Sequence, residues 1–190
     1  MRLTLGINDC FAVKRWPRPE DWAPIVRDRL GLTVFQHSLD LVDLTGSPAD
    51  RDAQGRALRK AVATAGLTLH STFTGLAAYS DNLLLHPDAD RRRAARRWYR
   101  RAVDWSAEVG ARGTGGHVGA LSVAEAADAG LSRRRWAGLR RDLALIAARA
   151  RQRGLDFLLV ENLAVAREPA TMGRIESLLS EGDAAHVPIR

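Results

Sequence analysis

What most limits the folding of this chain is a unit that recurs along it: a short apolar run followed by a stretch of helical periodicity. Residues 3–8 read as a strand, and residues 19–30 as a helix whose regularity Pro24 weakens. Residues 32–37 form the second strand. Ser47-Pro48-Ala49-Asp50 then opens a helix with a serine cap, a first-turn proline and an acid three residues on, and Gly66 closes it. Residues 67–70 are the third strand, and an arginine-rich helix spans about 88–109. Residues 113–117 give a glycine-rich fourth strand. Ser122 starts a short helix that Gly130 stops, and a long helix follows with Trp136, Leu139, Leu143 and Ile146 on one stripe, ending at Gly154. Residues 155–161 are the fifth strand. Pro169 starts a helix with Met172, Ile175 and Leu179 inward, and a sixth strand begins at His186.

Strands separated by helices imply right-handed crossovers and a parallel sheet, which leaves a doubly wound open sheet or a barrel. A doubly wound nucleotide binder carries a glycine-rich loop after its first strand. Here that strand runs into Asn8-Asp9-Cys10-Phe11. The cluster Gly113, Gly115, Gly116, Gly119 has His117 and Val118 at the wrong offset for the fingerprint. Its small residues instead suit the close approach of a side chain or ligand to the backbone. The expectation is an α/β chain of (β/α)8 TIM-barrel type. A typical barrel needs about 250 residues, so this sequence reads as a single domain over 1–190, incomplete at the C-terminus after about five and a half units.

The strand ends are polar. Asn8, His37, His70, His117 and Glu161 each close an apolar run. The run Phe157-Leu158-Leu159-Val160 is the most hydrophobic of these, yet it ends in a carboxylate, and an unpaired buried charge costs several kcal/mol, of order. A barrel resolves the conflict, because its active site gathers at the C-terminal ends of the strands. A single strand-end histidine is commonly a satisfied structural residue. His70, His117 and Glu161 recur in equivalent units, however, and two histidines with a carboxylate suit a divalent metal.

Charge adds a second question. The net charge is +7, and among 29 basic residues only Lys14 and Lys60 are not arginine. Arg91-Arg92-Arg93, Arg96-Arg97 and Arg100-Arg101 surround a stripe of Trp98, Ala102, Trp105 and Val109. They form either the solvated faces of an amphipathic helix or a nucleic-acid patch, and the regular stripe favours the first. Cys10 is the lone cysteine and no run is long enough to span a bilayer, so a cytoplasmic protein with no membrane association is expected.

Four segments together carry a family likeness: His70-Ser71-Thr72-Phe73-Thr74-Gly75; Leu83-Leu84-Leu85-His86-Pro87; Gly115-Gly116-His117-Val118-Gly119; and Val160-Glu161-Asn162 through Arg167-Glu168-Pro169. With them the chain resembles the xylose-isomerase-like TIM barrels of the sugar-phosphate isomerase and epimerase branch, the erythrulose-1-phosphate epimerase type above all. The resemblance implies a divalent metal ion (Mn, Mg, Co or Zn) and a small sugar or sugar-phosphate substrate. It makes Glu161 both metal ligand and catalytic acid/base. It places His70 and His117 in the pocket as ligands or substrate contacts, with Asn8 beside them. Arg167 either meets a substrate phosphate or pairs with Glu168.

The family's further ligands, an aspartate, a histidine and a second glutamate, belong to strands beyond Arg190, so this chain is expected to be an inactive fragment. Two rivals remain: an apurinic endonuclease of the endonuclease IV type, whose DNA substrate the resemblance makes unlikely, and a degenerate binding protein. Homo-oligomer formation stays open.

Overall fold

A computed structural model describes residues 3–179. Five strands form one sheet: β1 (Gly6–Asn8), β2 (Val34–Ser38), β3 (Thr68–Phe73), β4 (Gly113–Gly116) and β5 (Phe157–Val160). All neighbouring pairs are parallel, and the spatial order is the chain order, β1-β2-β3-β4-β5. A doubly wound sheet reverses its strand order at a switch point. This one never reverses, so it is an arc of a singly wound barrel.

Six helices link and flank the strands: α1 (Pro19–Pro24), α2 (Pro48–Ala65), α3 (Ala89–Glu108), α4 (Val123–Ala127), α5 (Ala129–Gln152) and α6 (Met172–Leu179). Pro24 ends α1, and residues Ile25–Arg29 continue as a wider turn, because proline offers no N–H to the regular ladder. Ser47 caps α2 by accepting from the Asp50 amide, and Gly66 ends it in the left-handed conformation at φ 63°. Gly130 does not stop a helix. Asp128 breaks the chain instead, accepting from the amides of Gly130 and Leu131 to cap α5. In α6 the buried residue is Leu178, whereas Met172 is exposed. Leu179's side chain and the expected sixth strand lie outside the described residues.

The core lies between the sheet and the helices. One cluster joins Phe35, Leu58 and Leu69 to Trp22 and Trp105. The other joins Leu158 to Tyr99, Val103, Leu139, Leu143 and Ile146. The α3 and α5 stripes read from periodicity are therefore the buried faces.

On that same helix-facing side sits His37. Its ring lies between Trp22 and Trp105, and its Nδ1 is 2.6 Å from Asp9 Oδ2, while Asp9 Oδ1 accepts from the Ser38 amide at 2.6 Å. The pair ties the end of β1 to β2. His37 is thus a framework residue and not part of the barrel mouth.

The third strand is longer than its apolar run, extending to Phe73 because its polar side chains find partners. Ser71 accepts from Gln36, and Thr72 bonds Ser106 of α3 and Thr114 of β4. The register against β2 slips by one, so His70 is an extra residue in a bulge between the pairs Phe35–Leu69 and Gln36–Ser71. On the inner face Gly113 makes room for Phe157: a Cβ at Gly113 would come within 2.2 Å of that ring. The small residue admits a side chain, as a glycine in a strand commonly does.

Candidate active site

Glu161 follows β5 directly, and its amide donates to the Gly116 carbonyl at 3.0 Å, continuing the β4–β5 ladder. That puts the carboxylate at the C-terminal rim, half-exposed. It is met there by Tyr79, from the short turn Leu76–Ser80 after β3, whose hydroxyl lies 2.7 and 2.6 Å from the two carboxylate oxygens. Although Tyr79 is 43% exposed overall, desolvation of its hydroxyl and then the neighbouring Glu161 raise the phenol's pKa above its ordinary value, so Tyr79 stays protonated and donates. Asp40 and Cys10 push in the same direction. The Leu76 amide donates to Asp40 Oδ2 at 2.6 Å, so the loops after β2, β3 and β5 meet at this rim.

His117 completes the group. Its ring stacks on Tyr79 at 5.0 Å between centroids and 17° between planes. The residue is almost wholly buried, and its Nδ1 has no hydrogen-bond partner. Burial lowers its pKa, partly offset by Glu168 and Glu161, so the imidazole is neutral at neutral pH. Backbone contacts fix it from both sides: its amide donates to Thr74 Oγ1 at 2.8 Å, and its carbonyl accepts from Tyr99. Gly116 before it needs φ +128°, and a Cβ there would strike Thr74 Oγ1 at 2.2 Å, so no larger residue fits that turn.

The other expected residues form a separate row. Asn8 Nδ2 donates to Gln36 Oε1 at 2.8 Å, Gln36 Nε2 donates to Ser71 Oγ at 2.9 Å, and Ser71 Oγ lies 3.1 Å from His70 Nδ1. His70 also packs against Phe157 at 5.4 Å. It stands three residues below the end of β3, about 10 Å of strand at ~3.3 Å per residue. The reading of His70 as a strand-end residue is therefore corrected, because the buried polar residues after it continue the strand. Arg167 donates to the Leu121 carbonyl at 2.6 Å and its own carbonyl accepts from the Leu121 amide, tying the loops after β4 and β5. Glu168 instead accepts from the Val165 amide.

Tyr79, Gln36 and Ser71 escaped the reading from sequence. Tyr79 carried one signal, an aromatic hydroxyl in the loop that leaves a strand's C-terminal end.

A divalent ion fits the described residues only in part. Glu161 is a suitable oxygen donor and the unpartnered His117 Nδ1 a suitable nitrogen one, but no three His, Cys, Asp or Glu side chains gather as a metal site among the described residues.

The sequence profile of the xylose isomerase-like TIM barrels matches residues 28–186. The chain belongs to that family. Its structure is similar to that of a candidate xylose isomerase from Rhodospirillum rubrum, with 36% identity and a TM-score of 0.93 over 100% of this chain and 64% of that one. It is also similar to D-psicose 3-epimerase from Clostridium cellulolyticum, with 19% identity, a TM-score of 0.71 and coverage of 98% and 62%. For an L-ribulose 3-epimerase the values are 21%, 0.72, and 99% and 60%. These two likenesses show the fold. The chain thus spans 60–64% of the length of these three structures. Among curated proteins, none matches the sequence.

Proposed function

We propose that this chain belongs to an isomerase or epimerase of a small sugar or sugar phosphate, which moves a proton next to a carbonyl. The observation that carries the reading is Glu161, a carboxylate held at the rim of β5 by the ladder and presented to the mouth beside Tyr79 and a neutral His117. Glu161 takes the proton from the carbon beside the carbonyl, leaving an enediolate, and returns it as the carboxylic acid. Tyr79 orients the carboxylate through its hydroxyl. His117 and the row of Asn8, Gln36 and His70 offer polar contacts for sugar hydroxyls.

A divalent ion, when bound, polarises the carbonyl and stabilises the enediolate. Glu161, with the unpartnered His117 Nδ1 beside it, would hold the ion on this side of the mouth. One carboxylate serves one face of the carbon, so epimerisation needs a second acid. The 190-residue chain by itself is accordingly expected to turn over no sugar.

The test is a chimera in which the barrel is completed from the Rhodospirillum rubrum relative and assayed on ketoses and ketose 1-phosphates. Glu161→Gln should lower turnover by two to four orders of magnitude, roughly the usual contribution of an acid/base. A chimera that epimerises as fast after Glu161→Gln as before it refutes the role given to Glu161.

A further inference from the structure

Away from the mouth, α3 and α5 enclose a cleft of about 300 Å³ on the outer surface. Its walls carry Arg92, Arg96, Arg134, Arg135 and Arg141, with Asp142 as the one carboxylate among the lining residues. Some of this charge is matched. Arg96 pairs with Asp142 at 3.1 Å, and Arg135 pairs from behind with Glu125 at 2.7 Å. Five guanidiniums against these two carboxylates, with Asp128 near Arg134 as a third, leave two positive charges.

The arrangement is also fixed. Arg92 Nη1 donates to the carbonyls of His86 and Pro87 at 2.6 and 2.8 Å, and Arg135 Nη2 donates to the same Pro87 carbonyl at 3.1 Å. Two half-buried cations are therefore neighbours across a single neutral oxygen atom, and Glu125 pairs with only one of them, Arg135. Arg92 shows the cost: burial first, then Arg135 and Arg96, make its charged form less favourable, and Glu125 and Asp142 offset this only in part. Arg141 completes the rim, exposed and without a carboxylate partner among the described residues.

From this geometry we infer that the α3–α5 cleft binds a compact phosphate-rich anion, such as a small oligophosphate, at a site distinct from the sugar-processing mouth. Guanidinium forks match phosphate oxygens in pairs, and an anion between Arg92, Arg135 and Arg141 relieves their mutual repulsion. A half-open cleft of about 300 Å³ matches a compact anion better than the length of a nucleic-acid backbone. At the start of α3, Arg91 and Arg93 are matched by Asp81 and Asp90, so that turn adds no free charge to the cleft.

The probe is tripolyphosphate, titrated calorimetrically into the 190-residue chain at low salt. One saturable site is expected, weakening as salt rises because the exposed arginines are screened. Arg141→Glu and Arg134→Glu alter exposed side chains, and circular dichroism confirms folding. Each should weaken binding by about tenfold or more, the scale of a lost charge-assisted hydrogen bond. Arg29→Glu makes the same charge change on an exposed residue of the turn after α1 and should leave affinity unchanged. Three results overturn the inference: no saturable binding, equal weakening in all three variants, or tighter binding of a single-stranded oligonucleotide at equal phosphate concentration. The last would assign the cleft to an extended polyanion.

Discussion

Gly113→Ala tests whether the inner face of this arc is packed as a barrel interior. A Cβ at Gly113 would lie 2.2, 2.3 and 2.8 Å from three ring carbons of Phe157. Carbon atoms settle about 3.5–4.0 Å apart, so the ring must retreat by roughly 1.3–1.8 Å. It has little room to do so. Phe157 is 2% exposed and packs against the His70 ring, which in turn reaches Ser71. Overpacking of this kind costs about 1–3 kcal/mol. At 2–4 °C per kcal/mol for a chain of this size, the melting temperature should fall by about 2–12 °C.

Phe157→Leu removes the obstructing ring carbons and carries a cavity cost of its own. The double variant should then be less destabilised than the two single costs added, with a coupling of about 1 kcal/mol or more. Urea unfolding at constant slope measures all four proteins. If Gly113→Ala costs under about 0.5 kcal/mol, or adds simply to Phe157→Leu, the ring is not what keeps that position a glycine.

Three further outcomes follow from the same contacts. His117 is buried with a lowered pKa, so between that value and its ordinary 6.5 the unfolded chain binds more protons than the folded one. Its contribution is therefore complete above 6.5 and is lost as pH falls through the folded value. Urea midpoints should drop on acidification in that window, less steeply in His117→Gln. Asp9→Ala leaves the His37 ring and the Ser38 amide without their acceptor in a fully buried place, and should cost about 3 kcal/mol or more in denaturant unfolding. Asp9→Asn keeps an acceptor for Ser38 and should cost less, whereas equal costs would contradict this account of the pair. Tyr79→Phe keeps the stack on His117 and removes the bond to Glu161; in the completed chimera it should shift the pH profile of turnover, and an unchanged profile would leave Tyr79 no part in orienting the carboxylate.

The parts of the fold legible in the sequence are those whose cause is local. Ser47 and Gly66 bracket α2 because a hydroxyl satisfies an amide three residues on and glycine alone accepts the left-handed turn cheaply. The stripes of α3 and α5 repeat at helical spacing, so their buried faces are readable before any partner is known. Where the cause is distant, the reading stops short. Ser71 and Thr72 read as the start of a loop, and only Gln36, Ser106 and Thr114 make them strand residues. Gly130 reads as a stop, but the capping power of Asp128, two residues earlier, outweighs it.

The same distinction decides the site. Glu161 is visible because a carboxylate after four apolar residues is locally anomalous, and the only cheap resolution of that anomaly is a polar mouth. Ending β3 three residues too soon has the opposite effect: it draws His70 upward to the rim and hides the loop that follows. Restoring Ser71, Thr72 and Phe73 to the strand carries His70 down into the row with Ser71, Gln36 and Asn8 and brings Tyr79 to the rim. Tyr79 could not be paired with Glu161 from spacing, since 82 residues separate them. The pairing becomes derivable once each strand's true end is known, because in a singly wound parallel sheet every loop after a strand opens on the same side. For a chain of this kind, the buried hydroxyls that prolong a strand are therefore as informative about the active site as the charged residues that end it.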